Sequence, residues 1–445
     1  MHAFMMKYSD HHNHEHQQHH NNLLQDNMHH HGGESSTSTS WSSTMMIVFS
    51  RILQVSSGLI AIFLAVLYLK QESLLYFPSV GGIPRRPSQN PKGYRSPSEY
   101  NIPFESHSIT TADGVKIHAW LLLHPGSLQN KTPTILFFHG NAGNIGLRLP
   151  NANQMYHHLK ANIVLVEYRG YGDSDDAKIT EKGLQMDAEA AWEFFRSHSQ
   201  IDPTRIFVFG RSLGGAVAFH LVRYVERLVD ASLSSSSSSS SALVSSSSLH
   251  PLMGIMVENT FLSIGHMVNA LMPFIAPLKF LILRMDWNNE KHAHDIVTPV
   301  LFLAGDQDEL VPHHHMQRLH QLSSIKSQFA KMHIIRGGTH NDSWVKGGMD
   351  YFLQMREFMS QIMRRQEGLS SPLSSRTSSA AFTPNNSVRC IPESDDGVMD
   401  VIMGDDSNAG AIPIMPQNLL SMAKEATGSM KIVTSTKTMT NKKEE

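Results

Sequence analysis

Along this chain the apolar residues change their spacing several times, and each change marks a different kind of element. Residues 1 to about 44 have no apolar period: His11-His12-Asn13-His14-Glu15-His16 gives way to a Ser/Thr-rich run from Ser35 to Thr44. Such a stretch cannot bury a core, so disorder is its expected state. Ile52 to Leu69 then carries no charge and is bracketed by Arg51 and Lys70. As a helix it would extend about 27 Å, close to the hydrocarbon thickness of a bilayer. Lys70-Gln71-Glu72 is no small-residue cleavage site, which argues against a signal peptide. Residues 45–70 are therefore expected to form a single transmembrane anchor, with 71–106 a linker and first elements.

From about 107 to 365 short apolar runs alternate with amphipathic stretches. The runs predict strands at Val115–Leu123, Thr134–Phe138, Asn162–Tyr168, Arg205–Phe209, Gly254–Val257, Pro299–Leu303 and Met332–Ile335. Several are continuously apolar, as in strands of a parallel sheet covered on both faces. Helices are predicted at Glu181–Ser197, Leu213–Val229, His313–Leu322 and Met349–Arg364. Alternating strands and helices make this a doubly wound α/β domain, whose ligands bind beyond the carboxyl ends of the strands. A serine-rich piece, 232–248, interrupts the pattern and reads as a surface insertion. Residues 366–445, rich in Ser, Asn and Gly without apolar period, read as a disordered tail.

Composition narrows the class of protein. The 445 residues hold 37 Lys+Arg against 39 Asp+Glu, so no basic footprint points to nucleic acid. The single cysteine, Cys390, rules out an intrachain disulfide and a thiolate metal cluster. Positive charge is heavier after the anchor (Lys70, Arg85, Arg86, Lys92) than before it (Arg51), which favours a cytosolic domain. The sequons at Asn130 and Asn385 are compatible with a lumenal one. Membrane location is expected; the face is left open.

Candidate chemistry centres on Gly210-Arg211-Ser212-Leu213-Gly214-Gly215, directly after the apolar run Ile206–Phe209. A G-x-S-x-G that closes a strand and opens a helix is the nucleophile elbow of an α/β-hydrolase, with the serine hydroxyl lifted above the sheet. Serine needs a base, and the base needs an acid to fix its tautomer; in this fold they follow in the order Ser, Asp/Glu, His. Leu301-Phe-Leu-Ala-Gly-Asp306-Gln-Asp308 runs a strand into an acidic loop, and Ile334-Ile-Arg-Gly-Gly-Thr-His340 runs another into a Gly-rich turn. Asp308 is preferred as the acid because it lies far enough past the strand to turn back; Asp306 is placed to brace the turn. His340 is preferred as the base over His313, His314 and His315, which are expected to open a surface helix. One oxyanion donor is expected to be the N–H of Leu213, the residue after the nucleophile. The other is assigned to Asn141 in His139-Gly-Asn-Ala-Gly-Asn144, with Ala142 the alternative. Glu167-Tyr-Arg-Gly-Tyr and Glu258-Asn-Thr, at the ends of two further strands, are read as structural. The apolar stretch between Met267 and Met285 is read as core or a short cap that could line an acyl pocket.

In this ordered set the chain resembles the membrane-anchored α/β-hydrolase domain-containing protein 13 family and its fungal and plant relatives. The matching pieces are Gln71-Glu-Ser-Leu-Leu-Tyr-Phe-Pro, Thr111-Ala-Asp-Gly-Val-Lys-Ile-His, His139-Gly-Asn-Ala-Gly-Asn, Glu167-Tyr-Arg-Gly-Tyr-Gly, Gly210-Arg-Ser-Leu-Gly-Gly-Ala-Val-Ala, Val257-Glu-Asn-Thr-Phe and Asp308-Glu-Leu-Val-Pro, ending near His340. The resemblance covers about 50 to 365 and implies a single-pass anchor and a Ser212-Asp308-His340 triad. The histidine-rich N-terminus, the serine insertion and the long tail depart from the family pattern without touching a motif residue.

The expected protein is a membrane-anchored serine hydrolase of carboxylic esters or thioesters, acting without metal or organic cofactor. Its expected partners are an acyl substrate, membrane-borne by first preference, and the lipid bilayer. A non-catalytic membrane scaffold on the same fold, or an acyltransferase, are the competing expectations.

Overall fold

Strands that are apolar at every position need cover on both faces, and the sheet of this protein is built to give it. The computed structural model describes residues 37–79, 82–236 and 249–370. In chain order its main elements are α1 (Thr37–Leu75), β1 (Phe104–Thr110), β2 (Lys116–Leu122), β3 (Thr134–Phe138), α2 (Leu149–Leu159), β4 (Asn162–Val166), α3 (Glu181–Arg196), β5 (Ile206–Arg211) and α4 (Leu213–Ser236). They continue with β6 (Gly254–Glu258), α5 (Ile264–Leu271), α6 (Lys279–Ile282), α7 (Asn289–Asp295), β7 (Val300–Gly305), α8 (His314–Ser323), β8 (Ala330–Ile335), α9 (Ser343–Lys346) and α10 (Gly348–Ser370).

The eight strands form one sheet in the order β1-β2-β4-β3-β5-β6-β7-β8. β1 and β2 pair antiparallel, as do β2 and β4; all pairings from β4 onward are parallel. Strand alternation sorts the core into two layers. Leu136, Phe138, Val164, Val166 and Val208 face a layer that includes side chains of α3, α4, α7 and α8. Ile135, Phe137, Ile163, Leu165, Phe207 and Phe209 face the other, with α2 and α10. A mostly parallel sheet with helices on both sides is the α/β-hydrolase architecture expected from the sequence.

Several boundaries differ from expectation. The sheet begins at Phe104, not after 107, because β1 is an edge strand whose polar run Glu105-Ser106-His107-Ser108 leaves little apolar signal. Helix α1 starts at Thr37, inside the stretch expected to be disordered, and ends at Leu75 rather than 70. Likewise α4 runs to Ser236, into the serine insertion, and α10 to Ser370, past 365. Ser and Thr disfavour an established helix by only about 0.5 kcal/mol each, so propagation carries through them. The histidine-rich start, most of the serine insertion, Asn385 and Cys390 lie outside the described residues. Almost every side chain of α1 from Met45 to Leu69 is exposed, and by length and composition Ser43–Leu75 could cross a membrane.

Where β5 turns into α4, backbone crowding sets the sequence. A Cβ on Gly210 would run into the carbonyl of Gly214, and one on Gly214 into the carbonyl of Phe138 at the end of β3. Neither obstacle is a movable side chain. Gly214→Ala is therefore expected to destabilise the domain by about 3 kcal/mol or more, read as a lowered denaturation midpoint of the purified protein.

Candidate active site

The turn after β5 puts Ser212 at φ 53°, in the left-handed region that a non-glycine residue rarely occupies. Three bonds hold it there: Ser212 N–H donates to the Glu258 carbonyl at 2.9 Å, and the Ser212 carbonyl accepts from Gly215 N–H at 2.9 Å and from Thr260 Oγ1 at 2.8 Å. The hydroxyl faces His340, whose Nε2 lies 2.9 Å from Ser212 Oγ. On the other side of the ring, Nδ1 lies 2.8 Å from Asp308 Oδ2. Asp308 is itself fixed, since Oδ1 accepts the backbone N–H groups of Leu310 and Val311 at 2.9 and 2.8 Å. Three residues from the ends of β5, β7 and β8 thus meet in one hydrogen-bonded line.

Asp306 points elsewhere. Its carboxylate accepts Gly337 N–H at 2.7 Å and faces Arg336 Nη1 at 3.3 Å, so it braces the turn after β8. The triple histidine opens α8, but only partly at the surface. His313 Nδ1 approaches the Gly305 carbonyl at 3.1 Å, and His315 is buried, with Nδ1 accepting Leu262 N–H at 3.4 Å. Burial, reinforced by neighbouring His314 and His266, pulls the His315 pKa down to about 4. The unfolded chain would take up this proton near 6.5. Stability present above pH 6.5 is therefore lost as pH falls toward 4. Denaturation midpoints across that window should drop less steeply in His315→Gln, which keeps an acceptor but does not titrate.

Residues given no catalytic role from the sequence carry the His340 loop. Asn259 Nδ2 donates to the carbonyls of Thr339 and His340 and to Ser343 Oγ, while its Oδ1 accepts Gly305 N–H at 2.8 Å. Arg211 Nη2 donates to the His340 carbonyl at 3.0 Å, and Arg211 in turn faces Glu258 at 3.6 Å. Glu258 Oε2 accepts the Tyr351 hydroxyl at 2.8 Å. Glu309 adds a bond to His340 N–H at 3.1 Å. These contacts are made largely to main-chain atoms, which leave no side-chain pattern to find; only the Glu258-Asn259 pair, read as structural, hinted at them.

The loop after β3 lies opposite the elbow and is pinned from α1. Asn141 Nδ2 donates to the Leu75 carbonyl at 3.0 Å, and the Asn141 carbonyl accepts Phe77 N–H at 2.9 Å and the Tyr171 hydroxyl at 2.8 Å. Gly143 N–H returns to the Phe77 carbonyl at 2.9 Å. Arg148 Nη2 donates to the carbonyl of the neighbouring Ala142 at 2.5 Å. Below the loop, His139 is fully enclosed beside Glu167, its Nε2 3.4 Å from Oε1, and burial lowers its pKa. Glu167 is thereby a buried support, with Oε2 accepting Ile145 N–H at 3.1 Å. Leu213 opens α4, so its N–H has no acceptor within the helix.

Asn141, Ser212, Leu213 and His340 border one cavity that opens in part to solvent. Apart from these residues and Gln71 its walls are apolar, drawn from the end of α1, from α5 with Phe261 before it, from the segment 272–285 and from Leu310 and Val311. Among the described residues a second group, Glu105, His107 and His198, brings possible metal-ligand atoms within 4.8 Å of one another on β1 and after α3. It closes on itself through Glu105 Oε2, 3.0 and 3.1 Å from the two Nε2 atoms.

Residues 135–349 match the model of the alpha/beta hydrolase family. The alpha/beta hydrolase domain-containing protein WAV2 of Arabidopsis thaliana is 33% identical over 317 residues, which cover 68% of this chain and 92% of that protein. The chain belongs to the α/β-hydrolase family. Protein bem46 of Schizosaccharomyces pombe is 32% identical over 304 residues, covering 67% of the chain and 88% of the relative. An uncharacterised membrane protein of Saccharomyces cerevisiae, YNL320W, is 31% identical over 269 residues, covering 59% and 82%. In this hydrolase the rim at the carboxyl ends of the strands holds the elbow, the acidic loop and the His340 loop together.

Proposed function

We propose that this α/β-hydrolase is a membrane-anchored serine hydrolase of carboxylic esters or thioesters, of the kind grouped as α/β-hydrolase domain-containing protein 13. The observation that carries the reading is the line Asp308–His340–Ser212, with separations of 2.8 and 2.9 Å, opening on an apolar cavity. In it, Asp308 accepts Nδ1–H and so leaves Nε2 of neutral His340 free to take the Ser212 proton. Ser212 Oγ then bonds to the acyl carbon, and the carbonyl oxygen becomes an oxyanion held by the N–H groups of Leu213 and Asn141. Collapse breaks the bond to the leaving alcohol or thiol, which departs with the proton from His340. Water repeats the sequence, releasing the acid and restoring Ser212 Oγ–H. No step draws on a metal or an organic cofactor.

Anchoring is supported by the length and exposed apolar surface of α1, and by the membrane designation of the yeast relative. The acyl substrate is a good match to apolar walls beside a carbonyl-activating rim. The reading is tested by fluorophosphonate labelling of membranes bearing the full chain: wild type labels and Ser212→Ala does not. A folded wild type that stays unlabelled would overturn it.

A further inference from the structure

The end of α1 belongs to the cavity wall. Leu67, Gln71 and Leu74 recur at helical spacing, lie on one face and line the cavity with Leu75 and Phe77. The same cavity is lined by Ile264, Met267 and Leu271 of α5 and by Ile282, Leu283 and Met285. Gln71 ties α1 to the 282–285 stretch. Its buried Nε2 donates to the Ile282 carbonyl at 3.1 Å, and its Oε1 accepts from Arg284 N–H and Met285 N–H at 2.8 and 3.1 Å. Arg284 makes a forked pair with Glu72 at 2.9 and 2.8 Å, donates from Nε to the Tyr68 carbonyl at 3.0 Å and lies over the Tyr68 ring. Further along, Trp287 Nε1 donates to the buried Tyr76 hydroxyl at 3.0 Å. A helix that only tethered the domain would need none of these contacts.

The same segment presents apolar side chains that the protein leaves uncovered. Phe274 is 72% exposed, Phe280 77% and Leu281 55%, and none of the three lines the cavity. Three large apolar side chains exposed within eight residues concentrate apolar surface in one short segment, the kind of patch that a membrane or a partner covers. Their position says by what. The segment is bonded to α1 at Tyr68–Glu72, and the uncharged run of α1 ends at Leu69. At 1.5 Å per residue those bonds fall within about 5 Å of the end of the run. If α1 spans a bilayer, that level is the boundary between acyl chains and headgroups, where aromatic and apolar side chains insert.

From this the geometry points to a lateral entrance: the 272–285 segment and the end of α1 form a lip seated in the membrane surface, through which a long acyl chain passes from the bilayer to Ser212. The substrate class is a long-chain acyl ester or thioester held in the membrane, rather than a short ester dissolved in water. This rests on the hydrolase reading and on anchoring by α1. The lip holds Phe274, Phe280 and Leu281 in lipid, and the chain lies along Leu67 and Leu74, with its carbonyl at the rim. Leu67 consequently sets how long a chain is accommodated.

The test compares two substrates on the full-length protein in vesicles of neutral phospholipid: a water-soluble four-carbon ester and a sixteen-carbon ester carried in the bilayer. Phe280→Ser with Leu281→Ser should lower turnover of the long ester about tenfold and change the short one less than about twofold. Leu67→Trp should move the preference toward shorter chains. Equal rates of double variant and wild type on both substrates would overturn the lip, and so would equal losses on both, because exposed side chains would then act through the fold. A wild type that labels with fluorophosphonate and cleaves the short ester keeps the hydrolase reading in either case; one that does neither overturns that reading itself.

Discussion

Replacing Ser212 by alanine should abolish fluorophosphonate labelling and lower ester turnover by about 10⁴-fold or more, the scale expected if the proposed nucleophile is removed. Only the side-chain oxygen is lost. The elbow itself is held by the backbone of Ser212, through Glu258, Gly215 and Thr260, so the variant should fold. Its backbone strain remains, because alanine has the same difficulty at φ 53°. Ser212→Gly separates the two roles: activity is lost equally, but relief of the strain should raise stability by about 1 kcal/mol. A Ser212→Ala protein that kept most of its turnover would place the nucleophile elsewhere. Substrate-saturation kinetics with thermal unfolding of both variants make the measurement.

What the sequence made visible follows from where each element sits in the sheet. β3 to β7 are buried along their whole length, and a strand covered on both faces must be written in apolar residues. β1 escaped notice because its Glu105, Ser106, His107 and Ser108 lie on a half-exposed edge, where pairing with β2 is made by the backbone. The short helices α5 and α6 were visible only as an apolar stretch, since neither is long enough to establish a period. At the site, Ser212, Asp308 and His340 could be found because each ends or follows a strand with its own sequence signature. The supports could not. Asn259 and Arg211 grip the carbonyl of His340, and Phe77 bridges the Asn141–Gly143 loop through main-chain bonds. Any residue type offers the same carbonyl and amide, so these pairings exist only in three dimensions. The wall that α1 adds to the cavity was hidden for another reason: a leucine on the outside of an apolar helix and a leucine lining a cavity are the same letter.

Asp308→Asn should reduce turnover by about 10⁴-fold while leaving fluorescence, unfolding midpoint and solubility near wild type, and the bonds around the carboxylate explain why. Oδ1 of Asp308 accepts two backbone N–H groups, from Leu310 and Val311, and Oδ2 meets His340 Nδ1. An asparagine must keep its oxygen toward the two backbone donors, because turning the NH₂ group there would oppose donor to donor twice. The amide NH₂ then faces His340 and makes Nδ1 an acceptor. In neutral His340 the proton consequently moves to Nε2, where it points at Ser212 Oγ instead of leaving a lone pair to receive the hydroxyl proton. The line of three residues keeps its shape and loses its direction. Asp306→Asn is the control. That carboxylate accepts Gly337 N–H and faces Arg336, so its loss should change stability by about 1 kcal/mol and turnover by less than tenfold. Reversed effects of the two substitutions would assign the acid to Asp306.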